Sequence, residues 1–289
     1  MREMLTFMAA PFTACLVLVG IHAYFGIHVI ERRVLFVDLA VAQFAAMGAV
    51  VGFLLGHHPG GTWSTLYSMV FATLAAVVFA LTRMRHERIP QEAVIGITFV
   101  LASAVTILVA DRSAEGAEHI KETLTGSLLW VTWPTVLKDL VIYSLLGGFH
   151  VVLRQRFLLI TADVQEAYRR GWWVRWWDFV FYLTFGITIT FSVEIGGILM
   201  VFSYLVIPAC IAILLVEGLR ARLLVGWVVG ATGSALGLWS SYRWDFPTGP
   251  AIVVVLGLML MLAGLAHRLM QARRVPAAAE DSTRLGLGV

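Results

Sequence analysis

The chain has 289 residues, of which 60% are hydrophobic and only 13% are charged, and its formal net charge is +3. A soluble domain carries about 25% charged residues, so an ordinary soluble protein is excluded. The apolar residues form runs of about 18 to 25, the length that crosses the hydrocarbon core of a bilayer. These runs predict an all-α polytopic transmembrane bundle and exclude an outer-membrane barrel, whose strands alternate apolar and polar residues.

Nine membrane spans are predicted in chain order, and an eight-span arrangement that alters only the N-terminal half stays open. Pro134 interrupts the fifth apolar run, so the segment 124–134 is a candidate re-entrant piece before the true helix. The nine predicted spans cover residues 5–30, 35–56, 63–82, 91–110, 128–153, 174–193, 196–216, 222–240 and 249–269.

The basic residues are distributed unequally between the two sides of this arrangement. Sixteen of the 21 Lys and Arg residues fall in loops of one side and five in loops of the other. Because basic loops stay cytoplasmic, the N-terminus is predicted outside and the C-terminus inside. Residues 1–274 form one membrane domain, and the polar tail 275–289 is predicted to be disordered. No inner loop has room for a nucleotide site, and the chain has no Walker loop.

The segment 161–171, TADVQEAYRRG, is a polar, helix-prone patch on the inner side between two apolar runs. As a single helix, 161–170 would be about 15 Å long, too short to span. Val164, Ala167, Tyr168 and Gly171 fall on one face at helical spacing. The charged residues form the other face, with Asp163 near the start and Arg169 and Arg170 near the end, as the helix dipole favours. Such a helix could lie on the membrane or dock into a groove of a partner.

Several motifs of this chain together resemble the integral permease subunits of ABC importers for zinc, manganese or iron. The resemblance covers nearly the whole sequence in order. It rests on ADVQEAYRRG (162–171), IGGILMVFSYLVIPACIA (195–212), DFPTGPAIV (245–253), EAVIGITFVLASAVTILVAD (92–111) and LTGSLLWV (124–131).

The resemblance implies a type II-like importer permease in the bacterial cytoplasmic membrane, which would conduct its cargo without covalent chemistry of its own. Segment 161–171 would be the coupling helix that enters a groove of a separate cytoplasmic ATPase, with Asp163, Val164, Glu166, Ala167, Tyr168 and Gly171 as its contact residues. The implied partners are that ATPase, an extracytoplasmic substrate-binding protein and a second permease copy. The chain itself would bind no cofactor and no nucleic acid, and ATP would be used by the partner.

One family motif is altered in this sequence. Family members carry an Asp and a His four residues apart at the start of the second span, on one helix face where they could share a divalent cation. In DLAVAQFAAMG (38–48), Leu39 takes the Asp place and Gln43 the His place, while Asp38 is displaced by one residue. Leu cannot bind a cation and Gln offers one neutral oxygen, so a metal site here is predicted to be weakened or lost.

Other polar residues of the spans and mouths are further candidates. Asp38, Gln43, His22, His28 and Glu92 are candidates for the translocation pathway, because ionisable groups within spans are costly and suggest function. At the proposed outer mouth, His57, His58, Glu118 and His119 could receive a metal from a binding protein, although loop histidines are commonly just solvated.

Three alternatives to a metal-ion permease stay open at this point. A permease for a metal chelate, such as a siderophore or cobalamin, is favoured by the lost Asp/His pair. A secondary transporter should show charged pairs at the bilayer midplane, and these are not evident in the sequence. An intramembrane protease would need a catalytic motif such as HExxH, which the chain lacks.

Overall fold

The computed structural model describes residues 2–58, 61–84, 89–111 and 124–284. Within these residues the regular structure is helical. A single-turn 3-10 helix, Leu128–Trp130, lies between α4 and α5. The ten α-helices are α1 (Arg2–Glu31), α2 (Val37–Leu54), α3 (Thr62–Leu81), α4 (Gln91–Ala110), α5 (Trp133–Val152), α6 (Arg154–Ala162), α7 (Val164–Arg169), α8 (Val174–Leu215), α9 (Leu219–Trp244) and α10 (Thr248–Arg284).

Eight of these helices are long and apolar enough to cross a membrane, and α6 and α7 are the two that are not. Helix α8 has 42 residues, which would extend about 63 Å if it were straight, twice the thickness of the hydrocarbon core. Gly197 interrupts it with φ 69° and ψ 164°, a conformation outside the helical region. The long helix therefore consists of two arms, 174–196 and 198–215.

The two arms of α8 fold back on each other, as their shared neighbours on α1 demonstrate. The Phe25 ring lies 5.6 Å from the Phe181 ring on the first arm. The next residue, Gly26, lies so close to Leu205 and Ala209 on the second arm that a Cβ on Gly26 would collide with the Leu205 carbonyl. On a straight helix, residues 181 and 209 would be about 42 Å apart. Helix α8 is thus a helical hairpin, and its two arms correspond to the separate spans predicted at 174–193 and 196–216.

The core of the bundle is formed by α1, α2 and the α8 hairpin, whereas α4, α5 and α10 expose most of their apolar surface. Small residues set the close helix contacts of α9. Gly230 lies against Val19 of α1, and Gly233 and Gly237 lie against α10. In each case an added Cβ would overlap the neighbouring helix, so these glycines allow α9 to pack against both partners.

The Gly197 end of the bundle, called the hairpin end below, is built around a crossing of two glycine backbones. Gly126 and Gly197 both have positive φ and lie too close together for a Cβ on either. The Ser127 N–H donates to the Ile195 carbonyl at 3.0 Å. Helix α5 begins only at Trp133, with Pro134 in its first turn. The span predicted as 128–153 is therefore too long at its start, because residues 124–130 pack against the hairpin turn instead of continuing the helix.

At the opposite end lie α6 and α7, and this end is called the charged end below. The connecting segments 31–36, 153–173 and 216–218 lie at this end, because successive spans run in opposite directions. Arg222 of α9 pairs with Glu31 of α1 at this end. Helix α10 continues to Arg284, past residue 274, and the disorder predicted for 275–289 stays a prediction.

Replacing Gly197 by Ala should destabilise the protein. With φ 69° and ψ 164°, Gly197 lies in a region that only glycine adopts readily, which costs another residue about 1–3 kcal/mol, and the new Cβ would also overlap Gly126. Unfolding of the purified chain in mixed detergent micelles measures the effect. Gly257→Ala is the matched control, since nothing lies within 4 Å of its added Cβ. Equal stability of the two variants would contradict the glycine crossing.

Candidate coupling segment and translocation pathway

The segment 161–171 is not one helix, contrary to the prediction from its composition. Asp163 separates α6 from α7 with φ −149° and ψ 89°, and its carboxylate accepts a hydrogen bond from the Glu166 N–H at 2.9 Å. An Asp at this position is an N-cap, which satisfies a free N–H of the first helical turn. Thr161 therefore belongs to α6, and α7 begins at Val164 as a separate helix of 6 residues.

Helix α7 ends in a glycine cap. The Gly171 N–H donates to the Tyr168 carbonyl at 3.0 Å, and the Trp172 N–H donates to the Ala167 carbonyl at 3.1 Å. These two bonds form a Schellman motif, in which the residue after the helix takes a left-handed conformation that suits glycine. Gly171 has φ 72° and is exposed. The prediction that Gly171 shares the packed face is wrong, because the chain has already left the helix there.

The other predicted residues of the apolar face do share one packed face, but Ala167, predicted as an ATPase contact, is buried within this chain. Ala167 is fully buried and packs with Ile160 of α6 and Val174 of α8, and the partly buried Val164 and Tyr168 lie beside it. This small cluster is separate from the main core of the bundle. Helix α7 is therefore held to its own flanking segments, α6 and the start of α8.

The opposite face of α7 is exposed and internally paired. The Glu166 carboxylate accepts hydrogen bonds from Arg170 Nε and Arg169 Nε, each at 2.8 Å. These bonds, that from Arg170 first, lower the pKa of Glu166, so the carboxylate is ionised at neutral pH. Asp163 Oδ2 lies 3.7 Å from Arg169 Nη2. The face offers a partner a fixed arrangement of two carboxylates followed by two guanidinium groups.

A buried ionic cluster connects the two ends of the coupling segment to the bundle. Arg32 Nη1 of α1 donates to Asp178 Oδ1 of α8 at 2.9 Å, and Arg32 Nε donates to Thr161 Oγ1 of α6 at 2.8 Å. Arg83 Nε, at the end of α3, lies 3.6 Å from Asp178 Oδ2. The side chains of Arg32 and Asp178 are 2% and 0% exposed. We call Arg32, Arg83, Thr161 and Asp178 the Arg32 cluster.

Sequence reasoning missed the Arg32 cluster. It counted Arg32 and Arg83 only as inner-loop positive charges and did not select Asp178. The sequence did contain one signal for this cluster. Asp178 is an acid at the very start of an apolar span, directly after a segment with four tryptophans. His28, a predicted pathway residue, lies beside the cluster, and its Nδ1 is 2.7 Å from Thr161 Oγ1.

Of the predicted pathway residues, His22, His28 and Asp38 are buried and Gln43 and Glu92 are half-buried, and they do not form one cluster. Asp38 is 1% exposed, and neither carboxylate oxygen has a hydrogen-bond partner among the described residues. Gln43 is half-buried. Glu92 accepts from the Phe36 N–H at 3.1 Å, next to the start of α2. His22 Nδ1 lies 2.7 Å from the Leu18 carbonyl of its own helix, so this nitrogen has a structural partner.

No predicted metal site is assembled in the part of the chain that the structure describes. That part contains no group of three or more His, Cys, Asp or Glu side chains able to hold a metal ion. His57 stacks on Trp63 with ring centroids 5.5 Å apart, and His58 follows it in the same loop. Glu118 and His119 lie outside the described residues, so their proposed role at the mouth stays a prediction.

A model of the ABC 3 transport family matches residues 4–267. The chain belongs to this family. The family predicted from the motifs is therefore confirmed, and members of the ABC 3 family are transport permeases of ABC systems. The predicted polytopic α-helical membrane fold is confirmed as well, because the described residues contain eight helices able to span and one of these is a hairpin.

Relatives and solved structures agree with this family membership. The manganese transport system membrane protein MntC of Listeria innocua is 24% identical over 244 residues, 83% of this chain and 83% of the relative. The chelated iron transport system membrane protein YfeD of Yersinia pestis is 24% identical over 178 residues, 62% of this chain and 60% of the relative. The structure of PsaBC from Streptococcus pneumoniae in complex with Fab has a TM-score of 0.74 at 19% identity, covering 89% of this chain and 90% of that chain.

Asp178→Asn should destabilise this ABC 3 family protein by about 3–5 kcal/mol, because removing one partner of a buried ion pair leaves an uncompensated charge. Equilibrium unfolding in mixed micelles measures the loss. The matched control is Glu31→Gln, which removes the partly exposed pair with Arg222 and should change stability by at most about 1 kcal/mol. Similar values for both variants would contradict a structural role for the Arg32 cluster.

Proposed function

We propose that this chain is the membrane-spanning subunit of an ABC importer for a divalent metal ion, powered by a separate ATPase. Membership of the ABC 3 family supports the transporter class. The metal is supported by the relatives, one of which is a manganese system and another a chelated iron system. The chain would hold no cofactor of its own, and the ATP would be bound and hydrolysed by the partner.

The observation that carries the proposal is the construction of α7. It is too short to span, exposes a paired charged face, and packs its other face on Ala167 against the flanking helices. A rigid, exposed helix of this kind can dock into a groove of a cytoplasmic ATPase. Closure of the ATPase dimer would then push α7, and the Arg32 cluster would pass the displacement to α1 and α3.

The charge distribution supports a cytoplasmic location for the charged end. Sixteen of the 21 basic residues fall on that side of the predicted arrangement, and basic loops stay cytoplasmic. The C-terminus would then be cytoplasmic and the membrane would be the bacterial cytoplasmic membrane. The hairpin end would face outward, where an extracytoplasmic binding protein would deliver the cargo to the seam between two permease copies.

The altered motif of α2 affects the pathway within this proposal. Leu39 and Gln43 are both half-buried and lie one turn apart on the same face, whereas Asp38 lies in the buried interior. Gln43 would offer the ion one neutral oxygen, and Asp38 would supply negative charge. Weak sites of this kind let an ion leave as easily as it enters. The described residues contain no cluster of three or more metal ligands, which favours a metal chelate as the second candidate cargo.

Glu166→Arg should uncouple ATP hydrolysis from uptake. The reversed charge removes both hydrogen bonds to Arg169 and Arg170 and places three cations in one turn of the docking face. The ratio of cargo transported to ATP hydrolysed, measured in vesicles with the assembled complex, should fall while the spans stay folded. Glu217→Arg, an exposed acid at the same end between α8 and α9, is the control. Unchanged coupling in Glu166→Arg would contradict the docking role.

Asp38→Asn should lower metal uptake about tenfold or more, since a lost charged interaction costs about 1.5–3 kcal/mol. Gln43→Ala removes a neutral oxygen and should lower uptake by only about threefold. Initial rates of radioactive manganese and zinc uptake measure both variants. A complete block in Gln43→Ala would show that Gln43 is an essential ligand. Equal uptake by Asp38→Asn and the unaltered chain would point to the chelate.

A further inference from the structure

Asp139 is a buried acid that no step described above uses. It lies on α5 six residues after the start of the helix, on the side of the hairpin end, and only 1% of its surface is exposed. Neither carboxylate oxygen has a hydrogen-bond partner among the described residues. Within the described parts of the chain, the ammonium of Lys138 is its cationic neighbour, at 3.7 Å from Oδ1, too far for a hydrogen bond.

A second carboxylate faces the same ammonium. Lys138 Nζ lies 3.8 Å from Glu194 Oε2, at the turn of the α8 hairpin. The Glu194 side chain is 36% exposed, and Thr65 Oγ1 donates to its other oxygen at 2.8 Å. One ammonium therefore serves two carboxylates, of which one is buried and the other is open to the surroundings.

Further oxygen atoms lie next to Asp139, deeper between α5 and α8. Tyr143 lies one turn along α5 from Asp139, on the same face of the helix. Its hydroxyl is 2.6 Å from Ser192 Oγ and 3.4 Å from the Thr188 carbonyl on the first arm of α8. The interface between α5 and α8 is thus lined, from the mouth inward, by Glu194, Asp139 and the Tyr143 hydroxyl.

If Asp139 had a purely structural role, its carboxylate should have a close hydrogen-bonded cation. Burying a carboxylate within a membrane protein costs several kcal/mol unless hydrogen bonds and charges compensate it. Asp178 shows the structural arrangement, with a direct hydrogen bond from the buried Arg32 at 2.9 Å. Among the described residues, Asp139 has instead a long contact to a lysine whose side chain is 45% exposed. Its charge is poorly compensated, and a more compact cation would compensate it better.

We infer that Asp139 and Glu194 form a receiving site for a divalent cation at the hairpin end, and that the Lys138 ammonium holds the cation position when no ion is bound. This inference rests on the proposed function. The two carboxylates and nearby hydroxyls are oxygen ligands, which suit Mn²⁺ and similar hard ions better than zinc. Arrival of the ion displaces the ammonium, and the flexible Lys138 side chain turns outward to solvent.

Displacement of a positive group gives the site a distinctive response to mutation. Asp139→Asn removes the buried ligand charge and should weaken Mn²⁺ binding about tenfold or more. Lys138→Gln removes the competing cation and should strengthen binding. If Lys138 and Asp139 served only stability, both variants would bind Mn²⁺ with unchanged affinity and would unfold at a lower temperature.

The experiment titrates the purified full-length chain, in lipid nanodiscs, with Mn²⁺ and follows the free hexaaqua ion by electron paramagnetic resonance. Glu31→Gln, which removes an acid of the charged end, is the control and should bind as the unaltered chain does. Weaker binding in Asp139→Asn together with tighter binding in Lys138→Gln supports the site. No Mn²⁺ binding by the unaltered chain, or the same affinity in both variants, overturns it.

The proposed function is tested separately by ATP-dependent uptake through the assembled complex. Uptake that persists with unchanged affinity in both variants leaves the importer intact and removes only the receiving site. Absence of ATP-dependent uptake of any divalent cation by the unaltered complex overturns the proposed function itself.

Discussion

A single buried guanidinium, that of Arg32, connects the coupling segment to the bundle. It donates to Thr161 just before α7 and to Asp178 shortly after it, and it lies 3.9 Å from the centre of the Phe181 ring. Because Thr161 and Asp178, on either side of α7, both bond to this one side chain of α1, α7 cannot move independently of the bundle. A force on α7 must displace α1 or break a buried ion pair, and the latter costs several kcal/mol. In the proposed function, the rigidity of this connection would allow a short helix to transmit motion.

The buried acids of the bundle fall into two groups, those with a cationic partner and those without a hydrogen-bond partner among the described residues. Asp178 is neutralised by Arg32 and Arg83, as a permanent element of the fold requires. Asp38 and Asp139 are equally buried but have no hydrogen-bond partner in the described parts of the chain. They lie on different helices, α2 and α5, rather than in one cage. If the chain conducts a cation, as we propose, separated single acids would attract the ion at each step without retaining it.

Much of this fold could be predicted from the sequence because span length and hydropathy are local properties. The reversal at Gly197 was predictable because the apolar run 174–215 is about twice the length of one span. The family was predictable from motifs spread over the chain. The break at Asp163 was missed because Asp is tolerated in a first helical turn and also caps a new one, and only backbone geometry distinguishes the two. The start of the fifth span was misplaced because packing against Gly197 and contact with lipid favour the same apolar residues.

The candidate site was less predictable, since its contacts join residues far apart in sequence. Arg32 and Asp178 are separated by 146 positions, and no local pattern relates them. Asp139 was passed over because a neighbouring lysine makes the pair resemble a solvated loop, although the fold buries the acid and exposes the base. The amphipathic face of α7, by contrast, follows from helical spacing alone, and only its final residue was misassigned.

The claim on which the account depends is that α7 lies on the cytoplasmic side and meets an ATPase there. The test first changes Cys15 and Cys210 to alanine. Gln165, on the exposed face of α7, is then replaced by cysteine, so that the chain carries one thiol. A membrane-impermeant thiol reagent should label this cysteine in inverted vesicles but not in intact cells, and added ATPase should protect it. Labelling in intact cells, or no protection by the ATPase, would contradict the account.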